Sequence, residues 1–356
     1  MRKEKIRVFL SGVVNATNAQ NLNCRALLRH HDREKFEVRT LTVYSGDLPL
    51  PQPFPANTFY PIRYPAKIWH WVQLIRGILW ADVAYLCKPE YWKLQRFLVR
   101  FFRKKSFITI EGVIAGAALD RSMKFFGNVE NIRAFYAMAT KSFAITKAMI
   151  VKNNQSVGLP DPDGVLYLGT DYDVFACEKQ VDKLTDVILI GADLKRKGID
   201  DYLVVARRFP QLTFHVAGGG VGGTDYAAQC RDSGLTNVVF HGSVNHQQLK
   251  KLLKEVQLHV FPSRAEGFPK VTLETAAAGV PSLVYDDYGA SEWIEQGGSG
   301  FVVKTLDEMV GVVQRLIDHP ELLQKVSEGA REMARRFDWK VLVKDWEREI
   351  EAMCEA

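Results

Sequence analysis

The sequence has no apolar run approaching the ~18 residues of a membrane-crossing helix, so no such helix is expected. Cysteines are few: Cys24, Cys87, Cys177, Cys230 and Cys354 are scattered, odd in number and never arranged as CxxC. That argues against a disulfide framework or a zinc ribbon and fits a reducing compartment. Met1-Arg2-Lys3-Glu4-Lys5 leads directly into a short apolar strand, Ile6 to Leu10. The longer apolar region and small-residue cleavage site of a secretory leader are missing, which predicts a cytoplasmic protein. Neither internal repeats nor low-complexity tracts stand out. Acidic residues are scarce in one place. Between Ile62 and Phe107, Arg63, Lys67, Arg76, Lys88, Lys93, Arg96, Arg100, Arg103, Lys104 and Lys105 face only Asp82 and Glu90. This local excess of +8 leaves the rest of a chain of formal net charge +6 at −2. One surface that meets an anion is expected, not a nucleic-acid-coating protein, and no nucleic acid is expected as a partner.

What is present is ordinary globular composition over 356 residues, beyond the size at which one core stops growing. Two domains are therefore predicted. Strands are read at Arg7–Leu10, Phe36–Val43, Val83–Leu86, Phe107–Ile110, Ser142–Ile145 and Val165–Leu168, with helical patterns between them. The polar stretch Glu178 to Asp186 reads as a linker. A second β/α series follows at Val187–Ile190, Leu212–Val216, Val238–Phe240, Leu258–Phe261, Ser282–Tyr285 and Phe301–Val303. Regular β/α alternation implies parallel sheets covered on both faces, with ligands outside the carboxyl ends of the strands. Asp338 and Trp339 to Met353 read as an N-cap and a closing helix.

Three stretches carry candidate chemistry. Glu266-Gly267-Phe268-Pro269-Lys270 follows a strand and leads into a helix expected to start near Pro269. Backbone N–H groups at a helix start favour a phosphate, and Gly267 lets the backbone approach a ligand closely. Glu274, about one turn into that helix, is placed to accept hydrogen bonds from two vicinal hydroxyls, as on a ribose. A surface loop whose two glutamates merely favour the helix start would look similar. Gly191-Ala192-Asp193-Leu194-Lys195-Arg196-Lys197-Gly198 brings three cations to a strand end, which suits a diphosphate and equally a solvated turn. Ala217-Gly218-Gly219-Gly220 is a third glycine-rich strand end, in which a flexible turn is the preferred reading.

These residues resemble the family-4 glycosyltransferases of the GT-B fold. Glu266 and Glu274 match that family's two glutamates separated by seven residues. Pro262-Ser263-Arg264-Ala265-Glu266-Gly267-Phe268, Leu273 to Pro281, Gly289-Ala290-Ser291-Glu292 and Gly300-Phe301-Val302-Val303 fit its surrounding pattern, and Gly169-Thr170-Asp171 with Phe175 resembles its segment before the second domain. Similarity runs from about residue 140 to 340. Before that, only the β/α order and a few positions fit.

The resemblance implies an α/β protein of two Rossmann-like β/α/β domains facing a cleft, with the C-terminal helix returning to the first. Residues 1–170 with 338–356 would bind the acceptor, and residues 171–337 the nucleotide-sugar donor. Glu274 would hold the ribose, Glu266 would sit beside the donor sugar, and Gly267, Phe268, Pro269 and Lys270 beside sugar and diphosphate. Lys197 falls on the lysine that neutralises the departing diphosphate, after Gly191. Two departures bear on the site. Ala192 stands where the family often has arginine, leaving Arg196 to take over part of that charge. Glu111 stands where the family often places a histidine near the sugar, so Glu111 joins Glu266 and Lys197 as a candidate catalytic residue.

The implied reaction is retaining transfer from a UDP- or GDP-linked sugar, with no metal required, to an unidentified acceptor such as a lipid-linked or cell-envelope glycan precursor. Asp171-Tyr172-Asp173 is read as a hinge ahead of a metal-binding DxD. A nucleotide-sugar epimerase or hydrolase and a non-catalytic anion-binding protein are the competing readings. The basic aromatic segment 62–107 is expected either to meet an anionic membrane surface, making the protein peripheral on the inner face, or to be a core helix with a solvated basic edge.

Overall fold

The computed structural model describes residues 4–179, 181–219 and 222–355. Met1, Arg2, Lys3, Gly220 of the third glycine turn, Gln180 of the expected linker and Ala356 lie outside them. The chain divides into two compact units, one of residues 4–168 with 339–355 and one of residues 169–338.

In the first unit the elements run β1 (Ile6–Val13), α1 (Ala19–His30), β2 (Phe36–Val43), β3 (Phe59–Ile62), α2 (Ala66–Trp80), β4 (Val83–Tyr85), α3 (Trp92–Phe101), β5 (Lys105–Ile110), α4 (Gly116–Phe126), α5 (Val129–Tyr136), β6 (Lys141–Ala144), α6 (Lys147–Val157) and β7 (Gly164–Val165). Its seven strands pair in parallel in the order β3-β2-β1-β4-β5-β6-β7. The order reverses at β1 and β4, where Val8, Phe9, Ala84 and Tyr85 are fully buried. Strand β3 was not expected. Pro61 breaks its donor row, and such a strand is tolerated at a sheet edge, where β3 lies.

The asparagines of the loop after β1 have structural work. Asn15 bonds both backbone groups of Val43, Asn21 accepts from Val13 N at 2.9 Å, and Asn18 caps α1. They satisfy backbone groups that a loop leaves without partners.

The second unit runs α7 (Tyr172–Phe175), β8 (Asp186–Gly191), α8 (Ile199–Arg208), β9 (Thr213–Gly218), α9 (Tyr226–Asp232), β10 (Val238–Gly242), α10 (His246–Glu255), β11 (Leu258–Phe261), α11 (Val271–Ala277), β12 (Ser282–Tyr285), β13 (Gly300–Val303), α12 (Leu306–Asp318) and α13 (Pro320–Arg336). Its six strands are parallel, in the order β10-β9-β8-β11-β12-β13. The order reverses between β8 and β11. Burial on both faces makes β11 and β12 continuous apolar runs broken only by His259 and Ser282, whose side chains bond each other at 2.9 Å.

One expectation fails here. The stretch read as a linker is anchored: Lys179 donates to the Leu253 and Val256 carbonyls at the end of α10, and Val181 and Leu184 are buried. Asp186 already belongs to β8. Helix α11 starts at Val271, close to the expected Pro269, and Thr272 turns both its N–H and its hydroxyl back to the Pro269 carbonyl, at 2.9 and 2.8 Å, closing the helix entry. The chain between Glu266 and Lys270 is therefore a loop.

The last helix, α14 (Trp339–Glu355), belongs to the first unit. Trp346 packs edge-on against Tyr85 at 5.6 Å and donates to the Tyr167 carbonyl at 3.2 Å. Glu347 accepts from His31 at 3.2 Å and from Asp32 N at 2.6 Å, and Lys141 pairs with Glu349 at 2.8 Å. No helix among the described residues is long and apolar enough to cross a membrane.

Candidate functional site

The site is built where β8 and β11 end side by side at the reversal of strand order, the place where open parallel sheets bind ligands. Two glycines let the loop after β8 fold against the loop after β11. A Cβ on Gly191 would stand 2.5 Å from Cγ of Lys197, so the bare backbone leaves room for the lysine stem. Gly198 has φ +82°, and a Cβ there would lie 2.2 Å from the Pro262 carbonyl oxygen. Both the left-handed turn and the close approach require glycine.

Three donors meet one carboxylate oxygen. Glu266 Oε1 accepts from Ser263 Oγ at 2.6 Å, Lys197 Nζ at 2.8 Å and Arg196 Nη1 at 2.9 Å. Arg196 also reaches the Ala265 carbonyl at 3.2 Å. The Lys197 and Glu266 side chains are 12% and 8% exposed, whereas Arg196 is 47% exposed. Lys197 thus sits in a low-dielectric setting with its ammonium 4.9 Å from the centre of the Phe261 ring. Burial lowers its pKa, and the adjacent Glu266 opposes that shift without cancelling it. Beneath it, burial together with the Lys197 charge pushes His259 down to about 3, so the imidazole is neutral at ordinary pH. Ser263 also donates to the Arg196 carbonyl at 3.1 Å, tying the two loops together.

Glu274 lies in the first turn of α11, half-buried, and no side chain among the described residues pairs with it. Burial raises its pKa against the opposing charges of His246 and Lys270. Phe268 is buried in the loop, with its ring 4.7 Å from Trp293 and 6.0 Å from Phe337. Tyr288 is buried as well. Its hydroxyl has no partner among the described residues, and burial followed by the Glu266 charge drives its pKa up.

The structure therefore gathers Gly191, Arg196, Lys197 and Glu266 around one point, and places Gly267, Phe268, Pro269 and Lys270 on the loop leading from it to Glu274. Glu111 belongs to the first unit, just past β5. It accepts from Thr109 at 2.9 Å, Tyr85 at 3.0 Å and Asn23 at 3.1 Å. Sequence reasoning had given no role to Ser263, Tyr85 or Thr109. Ser263, three residues before Glu266, was the one with a readable signal. Asp171 opens the single turn α7, whose Tyr172 ring lies 5.1 Å from the Arg335 guanidinium. Among the described residues no group of three or more His, Cys, Asp or Glu is placed to hold a metal ion.

The cluster of Lys197, Arg196, Glu266 and Glu274 lies inside a segment that matches a known family. Residues 175–333 match the family of glycosyl transferases group 1. Over 206 residues the chain is 30% identical to an α-D-kanosaminyltransferase of Streptomyces kanamyceticus, covering 56% of this chain and 49% of that protein. Over 166 residues it is 28% identical to an α-galactosylglucosyldiacylglycerol synthase of Streptococcus pneumoniae, covering 45% and 44%. The chain spans about half the length of the curated relatives it matches. Whole-chain likeness is found among solved structures. Sucrose-phosphate synthase from Thermosynechococcus elongatus superposes with a TM-score of 0.77 at 15% identity, covering 98% of this chain and 99% of that one. Anabaena Alr3699/HepE in complex with UDP gives 0.76 at 16% identity, covering 98% and 100%. The fold is GT-B, α/β, with two Rossmann-like units.

Proposed function

We propose that the protein is a retaining glycosyltransferase of the family-4 kind, moving a hexose-like sugar from a nucleoside-diphosphate donor to an acceptor. Its second unit, residues 169–338, would bind the donor, and its first unit, which includes α14, the acceptor. The observation that carries the reading is the convergence of Lys197 and Arg196 on Glu266 at the strand-order reversal of the unit that matches the family. A single carboxylate holds two cations there. A diphosphate carries more charge and more acceptor oxygens, so it can compete for both.

In the reaction proposed, the bond between the anomeric carbon and the phosphate oxygen breaks, and its electron pair leaves on the diphosphate. Lys197 and Arg196 stabilise that developing charge, a preorganised electrostatic role that leaves no step in need of a metal. The acceptor hydroxyl oxygen forms the new bond on the same face, and its proton passes to the departing phosphate. Glu274 would accept the two ribose hydroxyls, Glu266 would stand beside the sugar, and the loop Gly267 to Lys270 would line sugar and diphosphate. Glu111 would serve as a carboxylate of the acceptor unit.

Another Anabaena Alr3699/HepE structure is a complex with UDP-glucose, which supports a UDP- or GDP-linked sugar as the first donor to try. A lipid-linked or cell-envelope glycan precursor suits the cationic aromatic segment of the first unit, and would make the protein cytoplasmic and peripheral to the membrane. The test is a donor screen on purified protein, read as nucleoside diphosphate release with and without acceptor mixtures. Release from one donor class, lowered about 10²- to 10³-fold by Lys197→Ala and unaffected by chelator, is expected. No release from any UDP- or GDP-sugar would overturn the reading.

A further inference from the structure

The geometry points to the outer faces of α2 and α3 as a docking surface for an anionic lipid bilayer. On α2, Gln73, Leu74, Gly77 and Ile78 face the core. Its opposite side carries Ile68, Trp71, Val72 and Leu79, which are 62%, 50%, 38% and 37% exposed and recur at helical spacing. A helix apolar on its solvent side as well as its core side is incompletely covered. Helix α3 repeats the pattern. Trp92, Gln95, Leu98 and Val99 are buried, while Phe97 and Phe101 are 56% and 68% exposed and stack at 5.3 Å. Phe102 continues the cluster, edge-on to Phe101 at 5.0 Å. The two helices pack together at Tyr91, whose ring meets Trp71 at 5.6 Å and His70 at 5.1 Å.

Charge decides what covers this face. Exposed Lys67, Arg76, Lys93, Arg100 and Arg103 stand among the apolar groups. Of the two acidic residues in the segment, Asp82 is bound by Arg7 at 2.6 Å and offers little compensation. A partner protein with an apolar patch would meet unmatched cations. A polyanion such as nucleic acid or an acidic glycan would leave Ile68, Trp71 and Phe101 exposed. An anionic bilayer matches both sets, because aromatic and aliphatic groups enter the headgroup zone while long cationic side chains reach phosphates. The shallow groove of about 630 Å³ along α3, lined by Lys93, Arg96, Phe97, Arg100 and Phe101, offers a place for a headgroup. This surface is independent of the donor chemistry at Lys197.

Co-sedimentation of the whole protein tests it. Vesicles of phosphatidylcholine with roughly a third phosphatidylglycerol should bind the protein at low salt and release most of it once the Debye length falls to about 3 Å. Pure phosphatidylcholine should bind far less. Lys93→Gln with Arg100→Gln should weaken binding about 30-fold, near 1 kcal/mol for each cation. Phe97→Ser with Phe101→Ser should weaken it about tenfold or more, with thermal unfolding unchanged. A folded wild-type protein that fails to bind at low salt overturns the proposal. Undiminished binding by the Phe variant reduces the face to a polyanion contact and also overturns it. Donor hydrolysis without vesicles, followed in the same variants, keeps this outcome separate from that of the glycosyltransferase reading.

Discussion

Lys197 is held between two opposing demands. Burial lowers its pKa, yet one carboxylate and one aromatic ring keep an ammonium there. If it stabilises a leaving diphosphate, Lys197→Ala should lower kcat by about 10²- to 10³-fold, the usual loss of ~3–4 kcal/mol for a preorganised donor, with little change in donor KM. Lys197→Arg should not restore it, because the guanidinium is planar and the stem passes beside Gly191 with no space to spare. Glu274→Ala should instead raise the donor KM by about tenfold or more, the worth of hydrogen bonds to a charged group. Because the Glu274 pKa is raised, its carboxylate protonates at a pH above the ordinary glutamate range. Donor affinity should therefore fall on acidification before ordinary surface glutamates titrate. A pH profile of KM that stays flat through that window, while kcat falls, would remove Glu274 from the ribose role.

Among the elements, the loop after β8 is the one whose glycines are most constrained. Gly198→Ala would force a Cβ into the Pro262 carbonyl at a left-handed φ, and should cost ~1–3 kcal/mol of stability together with activity. Denaturant unfolding alongside turnover measures both. Helix α14 supplies a pH test. Burial opposes ionisation of Glu347, but hydrogen bonds from His31 and Asp32 N outweigh it and hold the pKa below the ordinary value. The stability it contributes is therefore complete above the unfolded glutamate pKa and is lost as pH falls through the lower folded one. Glu347→Gln should flatten that part of the acid unfolding curve.

These elements also show where the sequence was readable. Most strands of the second unit could be placed because parallel strands covered on both faces are nearly continuous apolar runs, and Glu266 and Glu274 stood in a dense local pattern. Strand β3 escaped because Pro61 hides an edge strand from a propensity argument. Lys179 looked like part of a solvated linker because its partners, two helix-end carbonyls, lie more than seventy residues away. The same holds for Ser263, whose partners are set by the meeting of two loops, and for Cys24 and Cys87, whose sulfurs lie 3.6 Å apart although nothing in their spacing pairs them.

At the scale of the whole molecule, ligand binding should act on one unit. If the donor is a UDP-sugar, UDP at about 100 times its Kd should add ~2.7 kcal/mol to the state that binds it. The slowing of amide exchange should concentrate in the loops after β8 and β11, leaving α2 and α3 unchanged. Uniform protection of both units, or none in those loops, would place the nucleotide elsewhere. The division of the chain has a further consequence, for the order of folding. The first unit is discontinuous, since Trp346 must find Tyr85 and Tyr167 across the intervening residues 169–338. Where that segment leaves and rejoins the first unit, Thr170 N bonds the Phe337 carbonyl at 3.0 Å and Thr170 bridges Asp338. Once folded, the second unit therefore holds its two ends together and turns a loop of its entire length into a short one. By loop-closure entropy alone that is worth on the order of 4 kcal/mol to the docking of α14. The nascent protein should thus acquire protection in β8 to β13 before α14 settles. Pulse-labelled exchange should show α14 lagging, and lagging further when the second unit's core is weakened.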